Sequence, residues 1–159
     1  MSKLYIDKSI LKYMENEIKK VKNKNIETGG IILGKNKEGE NIFITHIIDG
    51  GYKASRKRGN FKKDIKYSQK IVDKIYKMQG FYYIGDWHTH PNNCLIYSET
   101  DSKSMKEICK LNKGYKMIFI IAGNDINLPF KVYTYNINNN IIEEVKYEFV
   151  EDLEKSVTF

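Results

Sequence analysis

An apolar run ends in two histidines in the stretch Phe81-Tyr82-Tyr83-Ile84-Gly85-Asp86-Trp87-His88-Thr89-His90-Pro91. Aromatic and β-branched residues favour an extended chain, and Pro91 ends the run because proline donates no hydrogen bond to a sheet. Residues i and i+2 of a strand point to the same face. The imidazoles of His88 and His90 are therefore expected on one side, about 6–7 Å apart along the chain. The stretch predicts a strand that offers two metal-ligating groups near its carboxyl end.

A third ligating group follows at the start of a predicted helix. Ser98 suits an N-cap with Asp101 as an approximate capping box, and Met105, Ile108 and Leu111 continue at helical spacing. Two histidines and one carboxylate leave one tetrahedral position open, which is typical of a catalytic zinc site. Each feature also has a simpler interpretation. A lone His-x-His is often a chance pair, and capping or the helix dipole explains the serine and the aspartate.

Strand and helix patterns alternate along the rest of the chain. Helical spacing predicts helices over residues 8–22, over 64–79 and from Ser98 onward. Apolar or alternating runs predict strands over 26–34, 42–49, 81–88, 116–122, 130–137 and 141–150. The basic stretch 50–60 has no periodicity and indicates a loop. The order α-β-β-α-β-α-β-β-β predicts an α/β fold, a mixed β-sheet flanked by helices, in a single domain spanning residues 1–159.

The composition is ordinary for a globular chain. Of the 159 residues, 41% are hydrophobic and 30% charged. No stretch approaches the roughly 18 apolar residues of a membrane helix. The N-terminus has no export signal, and Cys94 and Cys109 are the two cysteines, so a reduced cytoplasmic protein without a membrane partner is expected. The net charge of +7 comes from 25 Lys and only 2 Arg. Nucleic acid is therefore an unlikely partner, because guanidinium groups suit phosphate and guanine better than ammonium groups do.

The joint spacing, in which seven residues separate His-x-His from Ser-x-x-Asp, resembles the JAMM signature of the JAB/MPN metalloprotease family. The upstream segment Ile26-Glu27-Thr28-Gly29-Gly30-Ile31-Ile32-Leu33-Gly34 looks like the glutamate-bearing first strand of that family. The resemblance covers roughly residues 5–135 and implies the JAB/MPN architecture, which is related to that of cytidine deaminases. Tyr97 is one departure, since many members have proline before the serine. This departure concerns the loop conformation and not the ligands.

The resemblance implies a role for each residue of this set. His88, His90 and Asp101 would ligate Zn²⁺, with water in the fourth position. Glu27 would act as the general base. Ser98 would donate a hydrogen bond to the tetrahedral oxyanion.

Other residues near the motif have less specific interpretations. Gly29 and Gly30 would leave the backbone without side chains where a substrate approaches. Cys94 is interpreted as a loop residue, with a redox-sensitive neighbour or an additional ligand as the alternative. The basic loop 50–60 is interpreted as solvated, with a place beside the substrate channel as the alternative.

Within the family, the Trp-His-Thr-His-Pro form in a short chain looks most like the bacterial JAB proteins of antiphage islands. These proteins accompany E1-like and E2-like enzymes, as in CBASS operons. The resemblance thus implies a zinc metalloprotease that cleaves after the C-terminus of a ubiquitin-like or similarly conjugated protein. Both an isopeptide and a linear precursor are possible substrates.

Two non-proteolytic functions compete within the same family. A non-catalytic MPN scaffold usually lacks the ligand set, which is complete here. A DNA-associated RadC-type JAB protein shares the metal motif, but its loop is typically rich in glycine and proline, unlike residues 92–97. A zinc nucleobase deaminase is excluded, because it requires His-x-Glu and Pro-Cys-x-x-Cys.

Overall fold

The structure is a computed structural model that describes residues 2–125 and 127–153. The helices are α1 Ser9–Lys19, α2 Ile65–Gln79 and α3 Glu99–Leu111. The strands are β1 Leu4–Asp7, β2 Gly29–Lys35, β3 Ile42–Asp49, β4 Ser55–Lys57, β5 Asn60–Lys62, β6 Tyr82–Thr89, β7 Ile118–Ala122, β8 Phe130–Asn136, β9 Ile141–Glu144 and β10 Glu148–Val150.

One mixed sheet contains all strands except β4 and β5, which form a separate hairpin. The order across the sheet is β10-β1-β3-β2-β6-β7-β8-β9. β1 runs parallel to β3 and β10, β6 runs parallel to β7, and the other neighbours are antiparallel. The predicted α/β class, a mixed sheet with flanking helices, is confirmed. Among the described residues, no helix has both the length and the apolar character needed to cross a bilayer.

Helices cover both faces of the sheet, and β7 shows how the sequence achieves this. Ile118 and Ile120 pack in one core cluster with Met14 of α1, whereas Phe119 packs in a second cluster with Met105 of α3. α2 lies on the same side as α3, over β2 and β6. Because β7 is buried on both faces, its residues are apolar throughout rather than alternating.

The sheet is curled so far that its two edges approach each other. β9 forms one edge and β10 the other, yet only residues 145–147 separate them in the chain. A flat sheet of eight strands, spaced at about 4.8 Å, would be roughly 34 Å wide. The four Cα–Cα steps from Glu144 to Glu148 reach about 14 Å at most. Aromatic rings pack where the chain passes from β9 to β10. Tyr147 stacks on Phe130 at 5.1 Å between ring centroids and meets Phe149 edge-on at 5.3 Å.

Three features of the sheet differ from the prediction. β1 was missed, because four residues are too few to show a period. The hairpin β4–β5 lies largely within the stretch predicted as a loop, and its three-residue strands likewise leave no readable alternation. The predicted strand 141–150 is interrupted and forms β9 and β10 at opposite edges.

The two glycines at the start of β2 serve strand packing. A Cβ on Gly29 would lie 2.2 Å from the carbonyl oxygen of Trp87, and a Cβ on Gly30 would lie 1.8 Å from that of Ile48. Both glycines are buried between β3 and β6. The space that the sequence analysis assigned to a substrate is therefore filled by the neighbouring strands, and that interpretation of the glycines is wrong.

We expect Gly30→Ala to lower the free energy of unfolding by about 3 kcal/mol or more, because the backbone of β3 would have to move. Gly39→Ala is the control: it lies in a turn with φ of 84° and open space around its Cβ position. That variant should lose only about 1–2 kcal/mol, the cost of the left-handed conformation. Urea denaturation followed by circular dichroism measures both. Equal losses would contradict the assignment of Gly30 to strand packing.

Candidate metal centre

Three side chains converge where β6 ends and α3 begins. Nε2 of His88 lies 3.1 Å from Nε2 of His90 and 3.1 Å from Oδ1 of Asp101. Nε2 of His90 lies 3.1 Å from Oδ2 of Asp101. The three side chains are largely buried, with exposed fractions of 16, 12 and 14%. The structure thus brings together the three residues that the sequence singled out as ligands.

This donor set fits a divalent zinc ion. Ligand atoms at about 2.0–2.1 Å from a tetrahedral ion lie roughly 3.3 Å from one another. The nitrogen–nitrogen and nitrogen–oxygen separations of 3.1 Å are close to that value. Two imidazoles and one carboxylate are also a ligand set that catalytic zinc takes, with one position left for water or substrate.

Asp101 is held by the start of α3 as well as by the histidines. Its Oδ2 accepts from the backbone N–H of Ser98 at 2.9 Å, and Oγ of Ser98 accepts from the backbone N–H of Asp101 at 3.0 Å. The predicted capping box is therefore formed. Burial acts to raise the pKa of Asp101, but hydrogen bonds from His88 and His90 outweigh it and hold that pKa well below its ordinary value. The carboxyl group is ionised, as a metal ligand must be.

The loop after β6 fixes the orientation of His90. Nδ1 of His90 lies 2.6 Å from the carbonyl oxygen of Cys94, which can only accept, so we assign the proton to Nδ1. Nε2 is then the nitrogen that faces Asp101 and the second histidine, and it would offer its lone pair to a bound ion. The hydrogen bond with Asp101 raises the pKa of His90, while burial opposes it. Cys94 contributes through its backbone. Its exposed thiol does not belong to the metal-binding group found among the described residues.

Glu27 lies just before β2, outside the strand in which it was predicted, and faces the histidines. A carboxylate oxygen of Glu27 lies within 4.8 Å of a ring nitrogen of both His88 and His90, and the residue is 7% exposed. Burial raises the pKa of Glu27, and the two histidines act to lower it.

Two ligand sets are therefore geometrically possible. Glu27, His88 and His90 by themselves form a group that could hold an ion. Asp101 is the better third ligand, because it contacts both imidazoles at 3.1 Å. In the part of the chain that the structure describes, Glu27 is hydrogen-bonded to neither ring. The third histidine, His46, lies elsewhere, with its ring 5.7 Å from that of Phe81.

A cavity of about 360 Å³ opens beside this cluster. Glu27, His88 and Asp101 line it, together with β5 and the inner face of α3. The apolar members of its wall are Phe61, Ile65, Trp87, Met105, Ile108 and Phe119.

A charged pair in the wall of the cavity was missed by the sequence analysis. Nζ of Lys63 lies 2.8 and 3.0 Å from the two carboxylate oxygens of Asp86, and the hydroxyl of Tyr83 donates to Asp86 at 2.9 Å. The spacing contains the signal, because Asp86 lies two residues before His88 and thus shares its face of β6.

Comparisons with known proteins show the family of this chain. The sequence matches the family described as prokaryotic homologs of the JAB domain over residues 18–136. It is similar to the probable metalloprotease y4qB of Sinorhizobium fredii, with 36% identity over 111 residues, 65% of this chain and 68% of that protein. It is also similar to the CD-NTase/cGAS isopeptidase of Escherichia coli, with 35% identity over 127 residues, 78% of this chain and 76% of that protein.

The fold also has a solved counterpart. The solution structure of protein DSY2949 from Desulfitobacterium hafniense superposes with a TM-score of 0.71, at 14% identity, and covers 96% of both chains. At that identity the likeness concerns the fold alone.

We expect the tag-free protein to bind about one equivalent of zinc, and His88→Ala and Asp101→Ala to lose it. Glu27→Gln should keep the metal, because Glu27 is not the third ligand in the favoured arrangement. His46→Ala is the matched control for loss of an imidazole. Elemental analysis after reconstitution and dialysis measures all five proteins. Less than about a tenth of an equivalent in the wild type, or loss of metal in Glu27→Gln, would contradict the ligand set.

Proposed function

Because this chain belongs to the family of prokaryotic homologues of the JAB domain, we propose that it is a zinc-dependent isopeptidase or peptidase. It cleaves after the C-terminus of a ubiquitin-like or similarly conjugated protein, in a bacterial antiphage system. The observation that carries the proposal is the cluster of His88, His90 and Asp101 with Glu27 beside it. An open metal position next to a buried carboxylate suits hydrolysis of an amide.

His88, His90 and Asp101 would hold the ion, as their 3.1 Å separations support. When bound there, zinc polarises the scissile carbonyl and brings the pKa of a water from about 15.7 towards 7. The carbonyl of Cys94 and the backbone N–H of Ser98 hold two of the three side chains from behind.

Glu27 is the general base of the proposed reaction. Its carboxylate takes a proton from the attacking water, and the water oxygen adds to the carbonyl carbon. Glu27 then delivers that proton to the leaving nitrogen, and the carbon–nitrogen bond breaks to give an acid and an amine. The position of Glu27 within 4.8 Å of the imidazole nitrogens supports this role.

Ser98 can donate to the oxyanion without leaving its place in the capping box. Its Oγ accepts a hydrogen bond from the backbone N–H of Asp101, which uses one lone pair of the oxygen. The hydroxyl proton takes no part in that bond and can point towards the substrate. The side chain is exposed on the rim of the site. A hydroxyl in this position adds a hydrogen bond to the charge that develops on the carbonyl oxygen.

The substrate tail would bind along β5. In the described structure β5 pairs with β4 only, and residues 59–63 line the cavity beside the metal centre. An extended tail can therefore add a third strand to the hairpin, gaining affinity from main-chain hydrogen bonds. The apolar wall of the cavity favours a tail with a bulky apolar side chain near the scissile bond.

The antiphage setting rests on the relatives. Three of them, from Escherichia coli, Enterobacter hormaechei and Vibrio cholerae, carry the name CD-NTase/cGAS isopeptidase. We place the protein in the bacterial cytoplasm, where the free thiols Cys94 and Cys109 would stay reduced.

We expect Glu27→Gln to lower the rate of hydrolysis by about 10²–10⁴ while the fold and metal content persist. The substrates are conjugates formed by E1-like and E2-like enzymes of the kind that accompany bacterial JAB proteins, and a ubiquitin-like protein extended by a short peptide. Glu40→Gln, an exposed glutamate in a turn, is the control. Gel analysis and mass spectrometry identify the cleaved bond.

Failure of the zinc-loaded wild type to cleave any of these substrates would contradict the proposal. Tight, sequence-selective DNA binding in a mobility-shift assay would then favour the DNA-associated branch. Absence of both zinc and cleavage would favour a scaffold.

Ser98→Gly should separate the two roles of Ser98. Glycine is an acceptable N-cap, so the free energy of unfolding should fall by only a few tenths of a kcal/mol, against about 1 kcal/mol for Ser98→Ala. Both variants lack the hydroxyl, so kcat should fall by about 10²–10³ in each. Thermal denaturation and steady-state kinetics measure the two effects. Near-normal kcat in Ser98→Gly would assign Ser98 to the helix end alone.

A further inference from the structure

The segment that carries Glu27 is held from two sides by main-chain hydrogen bonds. On one side, the backbone N–H of Glu27 donates to the carbonyl oxygen of Lys57, the last residue of β4, at 2.9 Å. On the other side, the carbonyl oxygen of Thr28 accepts from the backbone N–H of Thr89 at 2.9 Å. Glu27 thus lies between the hairpin and the end of β6.

Thr89 adds a side-chain bond to this connection. Its Oγ1 accepts from the backbone N–H of Thr28 at 3.0 Å, so both main-chain groups of Thr28 are bonded to one residue. Thr28 and Thr89 are each 1% exposed. Because Thr89 lies between His88 and His90, the residue after the proposed base is attached to the strand that carries two proposed ligands.

Arg56 completes the arrangement from the hairpin. Its Nε donates to Oγ1 of Thr28 at 3.0 Å, and its Nη1 lies at a longer 3.5 Å from the carbonyl oxygen of Gly51. The chain has 25 Lys and only 2 Arg, so an arginine at this half-buried position is notable. A planar guanidinium directs its N–H groups rigidly, whereas an ammonium on a flexible stem does not.

We infer that Arg56 is a positioning residue for catalysis: acting through the hydroxyl of Thr28, it fixes Glu27 relative to His88 and His90. This inference rests on the proposed function, in which Glu27 is the base. The hairpin β4–β5 then has two tasks, since β5 borders the cavity and β4 holds the segment of the base. Displacement of a catalytic group by about 1 Å can cost about 10² in rate, so a positioning residue has a large effect without contacting the substrate.

The test compares Arg56→Ala with Arg58→Ala. Arg58 is an exposed residue at the turn of the same hairpin, so the control removes the same side chain and charge two residues away. Arg56→Ala is expected to lower kcat about 10–100-fold, with KM within about twofold of the wild type and metal content unchanged. Arg58→Ala should keep the wild-type kcat.

A second measurement needs no substrate. Amide hydrogen exchange followed by NMR reports the bond from the Glu27 N–H to Lys57. The exchange of that amide should be faster in Arg56→Ala and unchanged in Arg58→Ala. If no conjugate is cleaved by the wild type, the proposed function fails, and the exchange rates still decide whether Arg56 holds the Glu27 segment.

Variants at Thr28 decide whether Arg56 acts through that residue. Thr28→Val removes the hydroxyl at nearly constant shape and should lower kcat as Arg56→Ala does, whereas Thr28→Ser should keep it. The double variant Arg56→Ala/Thr28→Val should be no slower than the slower single variant. Wild-type kcat and exchange in Arg56→Ala, or additive losses in the double variant, would overturn the inference.

Discussion

The close antiparallel pairing of β2 with β6 is the constraint on which the site depends. Gly29 lies opposite His88, and a side chain there would meet the backbone of β6 at 2.2 Å. Only glycine permits this approach. The approach brings the segment before β2 alongside the last residues of β6, so that Glu27 faces the two imidazoles. The arrangement of base and ligands thus follows from main-chain geometry, and the side chains refine it.

Asp101 shows how one carboxylate can serve both a helix and a metal centre. One of its oxygens closes the capping box with Ser98, and both face imidazole nitrogens. The helix end and the histidines together keep the group ionised although it is mostly buried. The N-terminus of α3 therefore helps to stabilise a negative charge at the site, as helix N-termini do in general.

Local sequence patterns predicted the residues of the metal centre better than they predicted the short strands of the fold. The spacing of His88, His90, Ser98 and Asp101 predicted a cluster that the structure contains, because strand and helix periods fix short-range geometry. α2 ends at Gln79, the last residue of the helix predicted over 64–79, and Gly80 follows it in the left-handed conformation. β1 owes its state to distant partners, and the strands of the hairpin β4–β5 are only three residues long, so no local period revealed them. β10 lay within the predicted strand 141–150, but its separation from β9 to the opposite edge of the sheet had no local signal. The Arg56–Thr28 contact was likewise invisible, since it depends on how the hairpin docks.

The meeting of the two sheet edges has a consequence for the order in which the chain can fold. β1 pairs with β10, Tyr5 opposite Glu148, and the N–H of Leu153 donates to Asp7 across 146 positions of sequence. During synthesis the edge of β1 that pairs with β10 therefore stays unpaired until residues 148–150 have left the ribosome. Pairing between residues so far apart in sequence slows folding. Until it forms, the unpaired edge of the strand can associate with other chains. The early partner of β1 is β3, which shields only one of its two edges.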